Sequence, residues 1–203
     1  AGSGGMRIAL VCERFAPEGG GAAQWARQVA RCLADRGHDL RVLTFAPEGG
    51  EPDGAGDRLV VHRLPWHPSR LARARAMAAA VAEAGAEVVH DTGVGWSFDV
   101  FHPQTGARLA NYRRDMASRT PRERWTERLR PRHWRWLGEL RAVERRQFAR
   151  RDALFVAVSA MVASSMEELY GVRPERIRRV PNGVDAAVLP PPGGDARAGL
   201  RRR

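Results

Sequence analysis

The fold is decided by residues 7–45, which read RIALVC, ERFAPEGGG, AAQWARQVARCLADRG and HDLRVLTF in succession. Residues 7–12 form a short apolar run without polar alternation, which is typical of a strand covered on both faces. The glycines and the proline of residues 13–21 predict a loop. Apolar residues then recur at helical spacing until Gly37, which predicts the end of a helix. Residues 40–45 are a second apolar run, so the stretch predicts a strand, a helix and a strand.

The same alternation continues along the chain. Ser69 is a predicted N-cap for a helix that runs to Ala84, and Ser159 for one that ends at Gly171. Further strands are predicted at residues 59–64, 86–91, 153–158 and 177–180. Regular alternation requires parallel pairing with right-handed crossovers, which predicts an α/β, Rossmann-like, doubly wound parallel sheet. Ligands of such sheets bind beyond the carboxyl ends of the strands. The loops after Cys12, Phe45, Asp91 and Val158 are therefore the expected ligand-binding loops.

The length of 203 residues fits one domain with a substantial core. We expect residues 1–5 to be the remnant of an expression tag and residues 6–185 to form the domain. Residues 186–203 are expected to be a linker followed by the truncated start of a second domain. No signal segment follows Met6 and no stretch approaches the ~18 to 20 apolar residues of a membrane span, which predicts a cytoplasmic protein. Cys12 and Cys32 are predicted to be buried free thiols.

Gly19, Gly20 and Gly21 lie between the first strand and the first helix. Glycines there let the backbone approach a phosphate, and the helix N-terminus adds free amides and a partial positive charge. A plain tight turn is the alternative. The pattern is not G-x-G-x-x-G, and the chain contains no lysine for a Walker A loop. Neither a dinucleotide-dependent redox enzyme nor a P-loop enzyme is therefore indicated.

Polar side chains follow the predicted fourth strand. His90 and Asp91 close that strand, where each side chain can act as acid, base or hydroxyl binder, or can equally be a capping or packing residue. Asp99 and His102 lie in what reads as the next loop, residues 99–106, and bring a second carboxylate and imidazole close together. The remaining histidines show no ligand spacing, so no metal site is predicted.

The positive charge of the chain is concentrated in one segment. All 34 basic residues are arginine, and residues 108–151 contain fifteen of them against five acidic residues. This excess of ten is nearly the whole formal net charge of +11. A localised positive charge indicates an anionic partner, which could be a membrane surface, a nucleic acid or a phosphorylated glycan.

Tryptophans alternate with arginines in this segment. The combination predicts a surface on which indoles lie at the level of lipid headgroups and guanidinium groups meet lipid phosphates. The alternative is a solvated helix whose tryptophans pack inward. Nucleic acid is a third option that no RRM, KH, helix-turn-helix or zinc-finger signature supports. We call the following residues the Arg/Trp patch: Arg113, Arg114, Arg124, Trp125, Arg128, Arg132, Trp134, Arg135 and Trp136.

Six segments together resemble a known family. MRIALVC, FAPEGGG and ADRGHDLRVLT look like the opening of a retaining GT-B glycosyltransferase of family 4, and EVVHD, VAVS and VPNGVD are similar to its later landmarks. Residues 99–148 resemble the branch that contains the lipopolysaccharide-core heptose glucosyltransferase. The resemblance covers residues 6–185, and the six segments occur in the expected order.

The resemblance implies two Rossmann-like domains that face each other across a cleft. The first domain mostly binds the acceptor, and the second, with donor-binding residues beyond Arg203, holds a nucleotide-diphosphate sugar as donor substrate without a cofactor or metal. Gly19, Gly20 and Gly21 would lie against the donor diphosphate. Relatives often carry His-Gly-Gly or an Asp-containing variant where this chain has Gln-Thr-Gly at residues 104–106. The resemblance therefore does not identify the side chain that meets the acceptor hydroxyl. The candidates for the reaction centre are His102, Asp91 and Gln104, and those for the acceptor-side cleft are His90, Asp99, Ser159 and Asn182.

The sequence thus predicts a nucleotide-sugar-dependent hexosyltransferase that acts on a lipid-linked or cell-envelope glycan such as a lipopolysaccharide core. We expect it at the inner face of the cell membrane, and we expect the 203-residue chain alone to be inactive. One alternative is a GT-B enzyme with a soluble acceptor, such as a sucrose- or trehalose-type synthase. The other is a non-catalytic, basic Rossmann-like module that binds nucleic acid.

Overall fold

The computed structural model describes residues 4–45 and 58–183. The predicted tag remnant and linker therefore lie wholly or mostly outside the described residues, and so do the glycine-rich, acidic residues 47–57, for which the sequence predicts a loop. The strands are β1 (Arg7–Val11), β2 (Asp39–Phe45), β3 (Leu59–Leu64), β4 (Val88–Asp91), β5 (Val100–Phe101), β6 (Leu154–Ala157) and β7 (Ile177–Arg179). The α-helices are α1 (Gly20–Asp35), α2 (Arg70–Ala84), α3 (Arg108–Ser118), α4 (Pro121–Arg128), α5 (Pro131–Phe148) and α6 (Ala160–Tyr170), and a 3₁₀ turn spans Pro174–Arg176.

All seven strands belong to one sheet in the order β3-β2-β1-β4-β5-β6-β7, and every neighbouring pair is parallel. The predicted doubly wound, Rossmann-like fold is confirmed. The strand order reverses direction between β1 and β4, which are hydrogen-bonded neighbours. A crevice opens at such a switch point beyond the carboxyl ends of the strands, so the residues that follow β1 and β4 border the expected ligand site.

The predicted helix caps are present. The Ser69 hydroxyl accepts a hydrogen bond from the amide of Ala72 at 3.2 Å, and the Ser159 hydroxyl accepts one from Val162 at 3.3 Å. Gly85 and Gly171 end the two helices in the left-handed region, where a side chain would be strained. Short polar residues before the helices and glycines after them therefore fix where α2 and α6 begin and end.

Strand β5 was not predicted. Val100 pairs with His90 of β4 and with Leu154 of β6, so β5 lies inside the sheet although it is only two residues long. Two residues carry no readable periodicity, which is why residues 99–106 appeared to be a loop. The strand separates Asp99, at its amino end, from His102, at its carboxyl end.

Packed aromatic side chains form the core on one side of the sheet. Phe101, Phe148 and Phe155 contact one another with ring centroids 5.5 to 5.9 Å apart. A second cluster lies beneath α1 and includes Cys12, which is buried as predicted. Cys32 is exposed on α1, so the prediction that both thiols are buried is wrong for Cys32, whose helical position faces solvent.

Candidate functional site

The glycine run forms the N-terminus of α1. Gly19 is the N-cap, whereas Gly20 and Gly21 are the first residues of the helix, so only part of the run is loop. A Cβ at Gly19 would overlap the Cβ of Ala23, and Gly20 has φ +78°. A Cβ at Gly21 would meet no atom within 4 Å. Because a glycine N-cap has no side chain to bind the first amides of the helix, these amides are available to an anion.

Three rings form a cluster beside this helix terminus. Trp25 of α1 contacts His102 edge-on at a centroid distance of 4.7 Å and His90 at 5.7 Å. The two imidazoles stack on each other at 5.6 Å. The sheet therefore brings together two predicted site residues, His90 and His102, and adds Trp25, which the sequence analysis missed.

Both imidazoles are neutral at pH 7. Burial lowers the pKa of His90 to about 4, and burial together with the neighbouring His90 lowers the pKa of His102 to about 4. The Nε2 atom of each ring is buried and has no hydrogen-bond partner among the described residues. A general base works best with a pKa near the operating pH. The two rings are therefore better suited to binding a hydroxyl group than to removing its proton.

Asp91 is used as a cap for the loop that follows β4. It is fully buried, and its carboxylate accepts hydrogen bonds from the amides of Gly93, Val94 and Gly95, each at 2.7 Å. Burial raises the pKa of Asp91 to about 6, although the three amide bonds act in the opposite direction. Of the two interpretations that the sequence left open, this geometry favours the capping role over the catalytic one.

The structure places Asp99 away from His102. Its carboxylate accepts a hydrogen bond from the amide of Val89 at 2.8 Å, near the amino end of β4. The predicted closeness of Asp99 and His102 is therefore wrong, because the unpredicted strand β5 carries them to opposite ends. Asp99 does not lie at the carboxyl edge of the sheet, where the acceptor-side cleft was expected.

Gln104 and Asn182 do meet. The side-chain amide of Asn182 donates a hydrogen bond to Oε1 of Gln104 at 3.1 Å, and this joins the residues that follow β5 and β7. The Nε2 atom of Gln104 is buried and has no partner among the described residues, which leaves it a free donor. Ser159 also follows its strand at this edge, but its hydroxyl is occupied as the cap of α6.

Three arginines near this edge were missed by the sequence analysis. Glu13, in the loop after β1, forms ion pairs with Arg108 at 3.2 Å and with Arg73 at 3.5 Å. Arg70 lies close by, and burial followed by repulsion from Arg108 lowers its pKa to about 10. One carboxylate between three guanidinium groups leaves donors for a further anion. In a chain with 34 arginines, no sequence signal singles these out.

The tryptophans of the Arg/Trp patch are exposed. The exposed fraction of the residue is 64% for Trp125, 52% for Trp134 and 45% for Trp136, and the neighbouring Leu129 is also exposed. This favours an interfacial surface over the alternative in which the tryptophans pack inward. None of the described helices combines the length and apolar character that a membrane-spanning helix needs.

Metal-binding side chains do not cluster in the described part of the chain. Across residues 4–45 and 58–183, no three His, Cys, Asp or Glu side chains are grouped so that they could hold a metal ion. A metal-independent reaction stays a prediction.

Comparison with known proteins identifies the family. The family model described as Glycosyltransferase Family 4 matches residues 19–188. The fold is similar to the crystal structure of WaaG, a glycosyltransferase involved in lipopolysaccharide biosynthesis, with 17% identity, a TM-score of 0.62, and coverage of 88% of this chain and 45% of that one. It is also similar to sucrose-phosphate synthase from Thermosynechococcus elongatus, with 17% identity, a TM-score of 0.62, and coverage of 97% and 52%.

The chain thus spans about half the length of these two structures, and at this identity the likeness shows the fold alone. A comparison with curated protein sequences gives no match. The family model covers most of the chain, and its match agrees with the doubly wound sheet and with the glycine run at the start of α1. The chain belongs to glycosyltransferase family 4.

Proposed function

We propose that this chain is the acceptor-side half of a nucleotide-sugar-dependent glycosyltransferase that transfers a hexose to a lipid-linked or cell-envelope glycan, such as a lipopolysaccharide core. One observation carries the proposal. The partly buried His90 and the buried His102 lie at the carboxyl edge of the sheet, and Trp25 of α1, the helix that begins at the glycine run, contacts both rings. An anion site next to hydroxyl-binding groups is what transfer from a sugar diphosphate requires.

The N-terminus of α1 is the proposed diphosphate site. Negative charge grows on the diphosphate as its bond to the sugar breaks, and the partial positive charge of a helix N-terminus stabilises that charge. Gly21 leaves the approach open, because no atom lies within 4 Å of the position that its Cβ would take. The remaining donor contacts belong to a second domain, so the 203-residue chain is expected to bind the donor weakly and to transfer no sugar.

The acceptor is proposed to lie against His102 and Gln104. The buried Nε2 atoms of both residues lack partners among the described residues, and a sugar hydroxyl would satisfy each of them. The side chain of Arg108 is partly exposed, and Arg70 lies close to it. They would hold an anionic substituent, such as a phosphate, on the acceptor glycan.

The Arg/Trp patch is proposed to dock the enzyme on an anionic membrane. Each cation near an anionic surface contributes roughly 1 kcal/mol, so three or four engaged arginines favour the bound state by about 3 to 4 kcal/mol. Exposed indoles such as those of Trp125 and Trp134 suit the headgroup level of a bilayer. WaaG, whose fold is similar, is described as acting in lipopolysaccharide biosynthesis, which agrees with a glycan acceptor at a membrane.

The test is a transfer assay with the full-length protein. A panel of nucleotide sugars is offered with two acceptors, a lipopolysaccharide core lipid and fructose 6-phosphate, and products are identified by mass spectrometry. We expect hexose transfer to the lipid-linked core only. Transfer to fructose 6-phosphate would favour the soluble-acceptor alternative, and no transfer from any donor would contradict the proposal. Robust turnover by the 203-residue chain alone would contradict the division into two half-sites.

A further inference from the structure

An open pocket of about 440 Å³ lies between α3, α4 and α5. It is separate from the cluster of Trp25, His90 and His102, and it shares Arg132 and Trp136 with the Arg/Trp patch. Asp115, which lines it, lies two helical turns beyond Arg108 on α3, about 10 Å along the helix axis at ~1.5 Å per residue. The pocket is lined by Tyr112, Asp115, Met116, Arg119, Glu127, Arg132, His133 and Trp136.

One wall of the pocket is aromatic. The ring centroids of Trp136 and Tyr112 lie 5.5 Å apart and are tilted by 59°, and His133 lies 5.6 Å from Tyr112. Trp136 is 45% exposed, so part of its indole is free to contact a ligand. An exposed indole beside polar groups suits a ligand that has one apolar face and polar edges.

The polar groups of the pocket are held in a fixed network. Arg119 pairs with Asp115 at 2.9 Å and lies 3.9 Å from Glu127. The Nδ1 atom of the buried His133 lies 3.4 Å from Glu127, and its Nε2 atom lies 3.1 Å from the hydroxyl of Tyr112. These partners hold one another in place before any ligand binds. A ligand that forms hydrogen bonds with their remaining lone pairs and N–H groups therefore does not have to immobilise these side chains, and the entropic cost of binding is lower.

The charge of the pocket differs from that of its surroundings. Residues 108–151 have an excess of ten arginines over acids, yet the pocket has two arginines, Arg119 and Arg132, and two carboxylates, Asp115 and Glu127. Arg130 also pairs with Glu127 at 3.0 Å, but the lining itself carries equal numbers of the two charges, which weakens its attraction for a phosphate group. The ligand that fits is an uncharged molecule with many hydroxyls and one apolar face.

We infer that this pocket binds a neutral hexopyranose ring, which stacks on Trp136 and forms hydrogen bonds with Asp115, Arg119 and Glu127. The volume lies within the roughly 300 to 1,000 Å³ of small-molecule sites. On the proposed function, on which this further role rests, the ring is a sugar of the acceptor glycan remote from the bond that forms. The exposed Trp125 and Trp134 belong to α4 and α5, the helices that also contribute Glu127, Arg132, His133 and Trp136 to the pocket.

The experiment measures sugar binding to the 203-residue chain without donor or lipid. Methyl α-glucopyranoside, methyl α-galactopyranoside and methyl α-mannopyranoside are titrated while the indole and backbone N–H resonances are followed by ¹⁵N NMR, so that binding can also be measured in variants that lack Trp136. We expect at least one hexoside to shift the Trp136 resonance saturably, with a dissociation constant in the millimolar range, and to leave that of Trp125 unchanged. The Trp136→Ala variant should weaken binding at least tenfold, and the matched surface variant Trp125→Ala should bind as the wild type does.

Asp115→Asn provides a second variant, because it keeps the size of the side chain and the packing of α3 while it weakens the ion pair with Arg119. It should weaken binding severalfold. No saturable shift with any of the three hexosides would overturn the inference, as would binding that Trp136→Ala leaves unchanged. Tighter binding of phosphoethanolamine than of the hexosides would also overturn it and would identify a lipid-headgroup pocket. Since the assay contains neither nucleotide sugar nor membrane, its outcome is independent of the transfer and docking tests.

Discussion

The imidazole rings of His90 and His102 lie 5.6 Å apart and only 22° from parallel, although they come from the ends of two different strands. Burial disfavours a charge on either ring, and a charge on one disfavours a charge on the other. We expect both pKa values to lie near 4 in an NMR titration of the imidazole resonances. His102→Gln should raise the pKa of His90 only slightly, because the low pKa of His90 is caused by burial of its ring. A value near 6.5 for either histidine would show that the ring is solvated.

The same pair predicts how stability depends on pH. Between pH 6.5 and about 4 the unfolded chain binds protons that the folded histidines do not, so their stabilising contribution is lost as the pH falls through this window. Asp91 acts in the opposite direction, since its folded pKa of about 6 lies above the ordinary value. Because these two effects overlap in the same pH range, the contribution of one histidine is obtained by comparing the wild type with a variant that lacks it. His102→Gln should reduce the loss of unfolding free energy between pH 7 and pH 4 by about 1 to 3 kcal/mol, measured by urea denaturation. An unchanged pH dependence would contradict the buried, neutral state.

Gly21 is the cleanest position at which to test the diphosphate site. A side chain at Gly20 would be strained at φ +78°, and one at Gly19 would collide with Ala23, but Gly21 has neither problem. In the full-length protein, Gly21→Leu should reduce transfer at least a hundredfold and leave the unfolding midpoint within a few degrees. Gln28→Leu, at an exposed position on the same helix, is the control and should keep wild-type activity. Full activity of Gly21→Leu would show that the turn is only structural.

The Arg/Trp patch is tested by co-sedimentation with vesicles. A variant with Arg113, Arg128 and Arg135 changed to Gln should lose most of its binding to vesicles that contain anionic lipid. The same three-charge change at exposed arginines elsewhere, Arg31, Arg41 and Arg75, should lose far less. Binding of the wild type should weaken steeply from 0.1 M to 1 M salt, because the Debye length falls from ~10 Å to ~3 Å. Equal losses in the two variants would mean that only net charge matters.

Glu144 is predicted to contribute strongly to the stability of the fold. Its buried carboxylate accepts hydrogen bonds from the amides of Arg108 and Leu109 at the start of α3, and from the hydroxyl of Tyr170 at the end of α6. Glu144→Ala leaves these donors without a partner and should lower the unfolding free energy by about 3 kcal/mol. Chemical denaturation measures the change, with the exposed Glu168→Ala as the control. A loss below 1 kcal/mol would contradict the role.

Much of the fold could be predicted because several of its strands are short, largely buried apolar runs between clear turn and cap residues. Residues 7–12 and 153–158 are of this kind. Strand β5 could not be predicted, since a strand of two residues has no pattern and is defined only by its neighbours β4 and β6. That single omission accounts for the wrong placement of Asp99.

Only part of the candidate site could be predicted, because the roles of some of its residues also depend on neighbouring elements. Glycines and histidines at strand ends are recognisable, and His90 and His102 do meet. Trp25 reads as an ordinary apolar position of an amphipathic helix, and Glu144 reads as a solvent-exposed charge on α5. Their roles depend on which elements lie opposite them, and this information is distributed over residues far apart in the chain.

The carboxylate of Glu144 has a mechanical consequence. It ties the beginning of α3 and the end of α6 to α5, and α5 also carries Trp134 and Trp136 of the Arg/Trp patch. We therefore expect these three helices to move together rather than separately. If the exposed face of α4 and α5 rests on a bilayer, the same linkage sets the height and tilt at which the glycine turn and the histidine pair stand above the lipid. An anchored glycan would then reach the site only if its length matched this fixed height.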